Sequence, residues 1–391
     1  MAPARVWAEH GCDKLLAAPS PKVEALQGRW PPKLKAAVRR TQRALWAREL
    51  RQPVPGLLYL LERSGRATCH AASGICDCLV PFRGPTCETQ DPGEVDAARS
   101  YRGAIHYIVN DDEVHVREML HALWNLWEMF NARADYPVLV FHDGLSPETR
   151  EKIALRAPHR LWFFYVRDFA PENGISAAAQ EARHHHAMGY RAQSRFRAGP
   201  LFAHPGIASF DYLWGLDTDS HLPAPLSEGH DPFAALHERP ELVMGYQYIT
   251  KTAPASGMHL WDYTLLWAME RGIDVRADAP SRRHFLSKFT LTLPGYEDTT
   301  HWSSAVVMTD CEILRVSFFR EGSRYWDYFS FLDSVEGFWR HRWGDHAVRG
   351  LGVGLALWEE DRATWKAAAA SGQTPPARTF RMEHPYAHQS Y

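Results

Sequence analysis

The sequence lacks several things that would place it in other classes. No run of about 18 apolar residues occurs, which is the length a helix needs to cross a bilayer. Residues Met1 to Arg51 contain no apolar core of the signal-peptide type, so no export signal or membrane anchor is visible. Charge of one sign is also missing: 44 Lys and Arg against 46 Asp and Glu leave a formal net charge of -2. That balance gives no broad basic surface for nucleic acid. No internal repeat is present, and the longest low-complexity stretch is the short alanine run at 367–370. A solenoid or a disordered tract is therefore excluded as the main architecture.

Cysteine is scarce and unevenly placed. There are six, and four of them (Cys69, Cys76, Cys78 and Cys87) fall within nineteen residues. The segment reads CHAASGICDCLVPFRGPTC. A C-x-C pair, eight further residues, and a last Cys after Gly84-Pro85 resemble the second half of an EGF-like module, with the first half missing. Gly and Pro reverse the chain and let nearby cysteines meet. The spacing favours a Cys78–Cys87 bridge with Cys69–Cys76 as the remaining pair. A zinc site is the alternative, although no C-x2-C knuckle is present. Disulfides imply an oxidising compartment. That stands against the missing export signal, so the chain reads as a truncated or alternative start.

What is present organises into three parts. Residues 1–65 mix Pro, Ala, Arg and Lys and read as a stem or linker. Residues 66–92 form the partial module. From about residue 100 to 391 the texture becomes alternating apolar strands and amphipathic helices. Ala104 to Val109 reads as a strand. Val114 to Ala134 reads as a helix, with Met119, Leu123, Leu126 and Phe130 on one face. Pro137 to Phe141 is a second strand. Ser146-Pro147-Glu148 opens a second helix with a cap and a proline at its first position. Leu161 to Val166, Phe210 to Leu216 and Leu242 to Ile249 complete five strands. This order implies an α/β fold with a mostly parallel central sheet flanked by helices. Ligands bind such sheets at the carboxyl ends of the strands.

Asp217-Thr218-Asp219 is the one D-x-D in the chain. A chain of this length holds about one by chance, and a turn pair is the plain alternative. Its position directly after an apolar strand gives it weight. Two carboxylates at a strand end can hold a hard divalent cation against a sugar-nucleotide diphosphate. Such an ion also stabilises the diphosphate as it leaves.

A longer pattern surrounds it. Tyr190 to Pro205 (YRAQSRFRAGPLFAHP) resembles the YRxMCRFxSGFFYxHP segment of the fungal α-1,2-mannosyltransferases, glycosyltransferase family fifteen. Phe210 to Asp219 is similar to that family's YDYYWRVEPD, and His230 to Phe233 to its YDPF. Phe331-Leu332-Asp333 and Gly337 to Asp345 resemble YLDxSGGFYYERWGD. The resemblance covers roughly residues 101 to 388. It implies a single GT-A-type catalytic domain that is Mn²⁺-dependent (or Mg²⁺-dependent), uses GDP-mannose and retains anomeric configuration.

Carried over residue by residue, the resemblance implies the following site. Asp217 stands where the family has a metal-binding Glu, and Asp219 matches its final Asp. Tyr190 and Arg195 match the nucleotide-sugar segment. Asp345 matches the R-W-G-D aspartate, near the sugar or the acceptor; a helix cap is the plain alternative. His384 resembles the family's metal-binding His, with His388 as a rival. Glu312, in Asp310-Cys311-Glu312-Ile313, aligns with the Glu of the family's NFEI, a nucleophile or transition-state stabiliser. A second alignment, through His301-Trp302-Ser303-Ser304, puts Val306 at that position instead. Val109 replaces a family Arg, which leaves room for a donor other than GDP-mannose. The run His184-His185-His186 reads as a solvated loop, since three adjacent His cannot all face one ion. Cys311 reads as free and buried.

These readings imply a retaining mannosyltransferase acting on a glycan, glycoprotein or glycolipid acceptor, with no nucleic-acid partner and no encoded membrane association. A catalytically inactive glycan- or nucleotide-binding homologue is the other reading. The family and the cysteine cluster together imply the Golgi lumen.

Overall fold

The computed structural model describes residues 64–70, 75–83, 87–91, 98–166, 188–273, 275, 284–293, 296–382 and 387–388. The stem up to residue 63, the run His184-His185-His186 and His384 lie outside the described residues.

Two small antiparallel ladders come first: β1 (Ala67–His70) with β2 (Ile75–Cys78), and β3 (Phe82–Arg83) with β4 (Thr89–Gln90). Both expected bridges form, Cys69–Cys76 and Cys78–Cys87, so these four thiols are not a zinc site. Among the described residues Cys311 is the free cysteine, and it is buried.

The chain then lays down β5 (Gly103–Val109), β6 (Val138–His142), β7 (Leu161–Tyr165) and β8 (Tyr212–Leu216), mutually parallel in the order β8-β5-β6-β7. Helix α1 (Glu113–Leu126) follows β5 and α2 (Pro147–Arg156) follows β6. Both start at a capping side chain, Ser146 as expected and Asp112 in addition. Asp112 accepts from the Val114 N–H at 2.9 Å, and Ser146 accepts from the Thr149 N–H at 3.2 Å, with Pro147 at the first helical position. Helix α3 (Met188–Ala198) precedes β8, which ends at the D-x-D.

After the short β9 (Ser220–His221) and α4 (Pro232–His237), the sheet is extended on its other side. There β10 (Met244–Tyr246) leads into β11 (Ile249–Lys251), then helix α5 (Leu260–Glu270), the hairpin β12 (Thr290–Leu293) with β13 (Tyr296–Trp302), β14 (Ala305–Val307) and β15 (Cys311–Arg315). Strand β15 runs antiparallel between β8 and β10. Helices α6 (Arg324–Ser334) and α7 (Asp345–Ser371), then β16 (Thr379–Arg381) and β17 (Ala387–His388), close the chain. The full order is β16-β10-β15-β8-β5-β6-β7.

The expected fifth strand over 242–249 is thus two strands. β10 sits in the central sheet, while β11 leaves it to pair with β14. An apolar run carries no mark of the point where it changes sheets.

Every residue of β5 is buried, because both faces are covered. Ile105, Tyr107 and Val109 pack on the α1 side, and Ala104 and Ile108 on the side of the buried first half of helix α7. The disulfide module covers β7, an edge strand. Asp77 accepts the Tyr165 N–H at 2.6 Å and pairs with Arg150 at 3.2 Å. The Trp162 indole N–H donates to the Phe82 carbonyl at 3.1 Å. Among the described residues no helix is long and apolar enough to cross a membrane.

Candidate active site

The carboxyl end of β8 delivers Asp217, and the turn after it delivers Asp219. Strand β15 lies beside β8, and the Asp217 N–H donates to the Asp310 carbonyl at 3.2 Å. A cavity of about 340 Å³ opens there. Its lining includes Tyr190, Arg197, Asp217, Val306, Asp310 and Asp345.

Helix α3 contributes by its periodicity. Tyr190, Gln193, Ser194 and Arg197 stand at i, i+3, i+4 and i+7, and all four line the cavity. Arg195 stands off that stripe. Expected at the nucleotide-sugar site, it instead pairs with Asp333 on α6 at 2.6 and 2.7 Å. The reason is helical phase: the two guanidiniums of Arg195 and Arg197 leave the helix about 200° apart.

Arg197 is the residue that sequence reasoning missed. It is buried, ion-paired with Asp217, and donates to the Leu216 and Thr309 carbonyls at 3.4 Å each. Burial pulls its pKa down, but Asp217, Asp345 and Glu312 around it more than offset this, and the net shift is upward. Asp217 is pushed up by burial, against the pull of Arg197. The i, i+7 spacing from Tyr190 is the sequence signal that could have found Arg197.

Asp345 opens α7, and its carboxylate accepts from the Thr309 hydroxyl at 2.7 Å. It lines the cavity, as does Tyr190, whose ring lies under the Arg342 guanidinium at 5.0 Å. Burial, then the charge of Asp345, raises the Tyr190 pKa. Asp219 is half-buried. Burial and then its charge hold Glu118, on α1, above the usual carboxylate range.

Glu312 is not at the cavity surface. It is 3% exposed, and Arg349, fully buried on α7, grips it with Nε and Nη2 at 3.0 Å each. Burial raises the Glu312 pKa and Arg349 opposes this. Asp310, in the bend just before β15, lines the cavity, and so does Val306. Next to Glu312, Gly215 leaves room for His106. A Cβ there would stand 2.9 Å from His106 Nε2 and 3.8 Å from Glu312 Cγ.

Among the described residues no group of three or more His, Cys, Asp or Glu is placed to hold a metal ion. Two carboxylates, Asp217 and Asp219, stand together, and the backbone of β17 pairs with β9 just beyond them, with Ala387 opposite His221 and His388 opposite Ser220. The chain beginning three residues after His384 therefore returns to the D-x-D.

A mostly parallel sheet with paired carboxylates at a strand end beside a cavity is a GT-A-like arrangement. The chain belongs to the family described as "Glycolipid 2-alpha-mannosyltransferase", whose model matches residues 85–371. It is 24% identical over 258 residues to "O-glycoside alpha-1,2-mannosyltransferase homolog 2" of Schizosaccharomyces pombe, covering 60% of this chain and 63% of that one. It is 25% identical over 208 residues to "Glycolipid 2-alpha-mannosyltransferase 2" of Candida albicans, covering 50% and 40%. The chain thus spans less than two thirds of the length of these curated relatives. Two solved structures share the fold. Core-mannan synthase A from Aspergillus fumigatus, in an Mn/GDP form, matches with a TM-score of 0.60 at 19% identity over 77% of both chains. The mannosyltransferase Ktr4p from Saccharomyces cerevisiae, in complex with GDP, matches with 0.57 at 16% identity over 93% of this chain and 87% of that one.

Proposed function

We propose that this domain transfers mannose from GDP-mannose to a saccharide acceptor with retention of configuration, and that it depends on Mn²⁺ or Mg²⁺. The observation that carries this reading is the cavity that gathers Tyr190, Arg197, Asp217 and Asp345 at the carboxyl end of β8. The family and the Mn/GDP and GDP forms of the two fold relatives support the donor and the metal.

The carboxylates of Asp217 and Asp219 are hard oxygen donors suited to Mn²⁺ or Mg²⁺, with His384 as a nitrogen donor from the tail that returns to β9. Bound there, the ion supplies positive charge against the donor's diphosphate. Arg197 adds a fixed, always-protonated cation on the same side and orients Asp217. The Tyr190 ring and hydroxyl offer a stacking face and a hydrogen bond to the base or sugar. Asp345, held by Thr309, accepts from a sugar or acceptor hydroxyl. Glu312 acts as a positioning residue: it fixes Arg349, whose Nη2 donates to the Arg197 carbonyl at 2.8 Å. The acceptor is a glycan, carried on protein or lipid. The two disulfides favour an oxidising compartment such as the Golgi lumen.

A second reading, nucleotide binding without catalysis, rests on the burial of Glu312 beneath Arg349 and the apolar Val306 on the cavity wall. Both readings are tested by incubating purified protein with Mn²⁺ and a panel of sugar nucleotides, GDP-mannose beside UDP-galactose and UDP-arabinose. Transfer or hydrolysis of GDP-mannose, lost in Asp219→Ala and kept in His184→Ala, is expected. Undiminished transfer by Asp219→Ala would remove the site assignment, and tight donor binding without turnover would favour the second reading.

A further inference from the structure

We propose that the chain carries a second ligand site, separate from the cavity beside the D-x-D: a pocket on the α1 side of the central sheet that takes a medium-chain acyl carboxylate, with the hydrocarbon chain inward and the head group at two arginines. The site stands independently of the glycosyl-transfer reading.

The pocket has a volume of about 360 Å³. Among the described residues it shares no lining side chain with the cavity beside the D-x-D. Trp214, Leu222, Leu226 and Cys311 belong to the core cluster on the α1 side, whereas Val306 of the other cavity belongs to the opposite cluster. The two sites therefore lie on opposite sides of the sheet and are built on the same two strands. Trp214 comes from β8, which leads into Asp217, and Cys311 opens β15, directly after Asp310. The rest of the lining comes from the chain after β9, from α4 and from β16 with Met382.

The inner surface is apolar. Trp214, Leu222, Leu226 and Cys311 are buried, and Phe380 and Met382 pack against the same cluster. Burial pushes the Cys311 thiol up, so it stays protonated and adds no charge. Small-molecule sites span roughly 300–1,000 Å³ and combine apolar walls with a few polar groups, so a pocket at the low end suits a ligand of about ten to twelve carbons.

Charge is confined to the rim. Arg239 and Arg381 line the pocket, and both are exposed. The Arg239 guanidinium lies over the lining ring of Phe380, 5.2 Å from its centroid. Among the described residues these arginines donate to backbone carbonyls, Arg239 to Ala235 at 3.5 Å and Arg381 to Gln247 at 3.1 Å, and not to a carboxylate. No described residue of the lining is acidic. Two forked cations over an apolar interior match one carboxylate on a hydrocarbon chain, because a guanidinium binds a carboxylate through paired N–H groups.

The test is calorimetric titration of decanoate into the full chain, beside decanol and acetate, with thermal unfolding of every variant. One equivalent of decanoate is expected to bind with a Kd of about 100 µM or tighter, and decanol and acetate about tenfold more weakly or worse. Arg239→Met combined with Arg381→Met should weaken decanoate by about tenfold and leave decanol unchanged, since it removes the head-group contacts alone. Ala235→Trp, which fills the pocket from α4, should abolish binding without lowering the unfolding temperature. GDP with Mn²⁺ should not displace decanoate. Absence of saturable decanoate binding, decanol binding as tightly as decanoate, undiminished decanoate affinity in the double arginine variant, or displacement of decanoate by GDP would each overturn the inference. The arginines are exposed, so the double variant decides the matter even where Ala235→Trp fails to fold.

Discussion

Arg197 and Asp217 form an ion pair at the floor of the cavity, linking helix α3 to the end of strand β8. The pair places a permanent cation against the first carboxylate of the D-x-D. Removing the cation leaves a carboxylate whose burial already raises its pKa. Arg197→Met should therefore lower stability by about 1–3 kcal/mol, less than for a fully buried pair, since it leaves a half-buried carboxylate without its counter-charge. Mn²⁺ should raise the unfolding temperature of Arg197→Met more than that of the unsubstituted protein, because the ion then becomes the main counter-charge to Asp217. Thermal unfolding of both proteins with and without Mn²⁺ reads this directly.

The pair beneath it, Glu312 with Arg349, is more deeply buried and has no direct access to the cavity. Arg349→Met should destabilise by about 3–5 kcal/mol. Glu312→Gln should cost less, since an amide still accepts from the guanidinium. The double substitution should be less damaging than the sum of the singles, and a double-mutant cycle by denaturant unfolding measures that coupling.

Acid should weaken the fold well above the usual carboxylate range. Burial holds His159, His204 and His284 at about 4, and His106 and His142 lie well below the ordinary histidine value. Each folded-state pKa is depressed below the unfolded value of about 6.5, so the unfolded chain binds protons first as the pH falls. Stability is therefore complete above about 6.5 and is lost between there and about 4, with each group adding up to about 1.4 kcal/mol per pH unit. His106, whose ring nitrogens have no hydrogen-bond partner among the described residues, is the cleanest probe. His106→Leu should make the fall in unfolding temperature between pH 7 and pH 5 shallower.

The disulfide module should behave as a cover for the sheet edge. Asp77 is its main polar tie, reaching both Tyr165 and Arg150. Asp77→Ala should lower stability by about 1–3 kcal/mol, the cost of leaving a buried N–H and a guanidinium without their acceptor. Hydrogen exchange should rise in β7 and the start of α2 before it rises in β5.

Much of this was legible in the sequence because it is local. Ser146-Pro147 caps its helix as turn chemistry dictates, four of the five expected strands appear within two residues of their bounds, and close cysteines pair with near neighbours. Asp217, Tyr190 and Asp345, expected at one site from motifs far apart in the chain, do line one cavity. What was hidden is depth and phase. Arg195 and Arg197 differ only by which side of α3 meets the sheet, and Glu312 differs from its expected place by lying beneath the cavity, paired with Arg349. Arg349 sits in a helix with no local signal, since a buried arginine is explained only by the carboxylate it meets from another element.

We propose that the D-x-D at the end of β8 holds a metal and a GDP-linked sugar beside this cavity. Calorimetric titration of GDP into the protein in Mn²⁺, repeated with Asp219→Ala, tests it most directly. Saturable one-site binding is expected, weakening at least tenfold in Asp219→Ala and on chelation of the metal. Equal GDP affinity in the two proteins, or the absence of binding in the unsubstituted one, would contradict it.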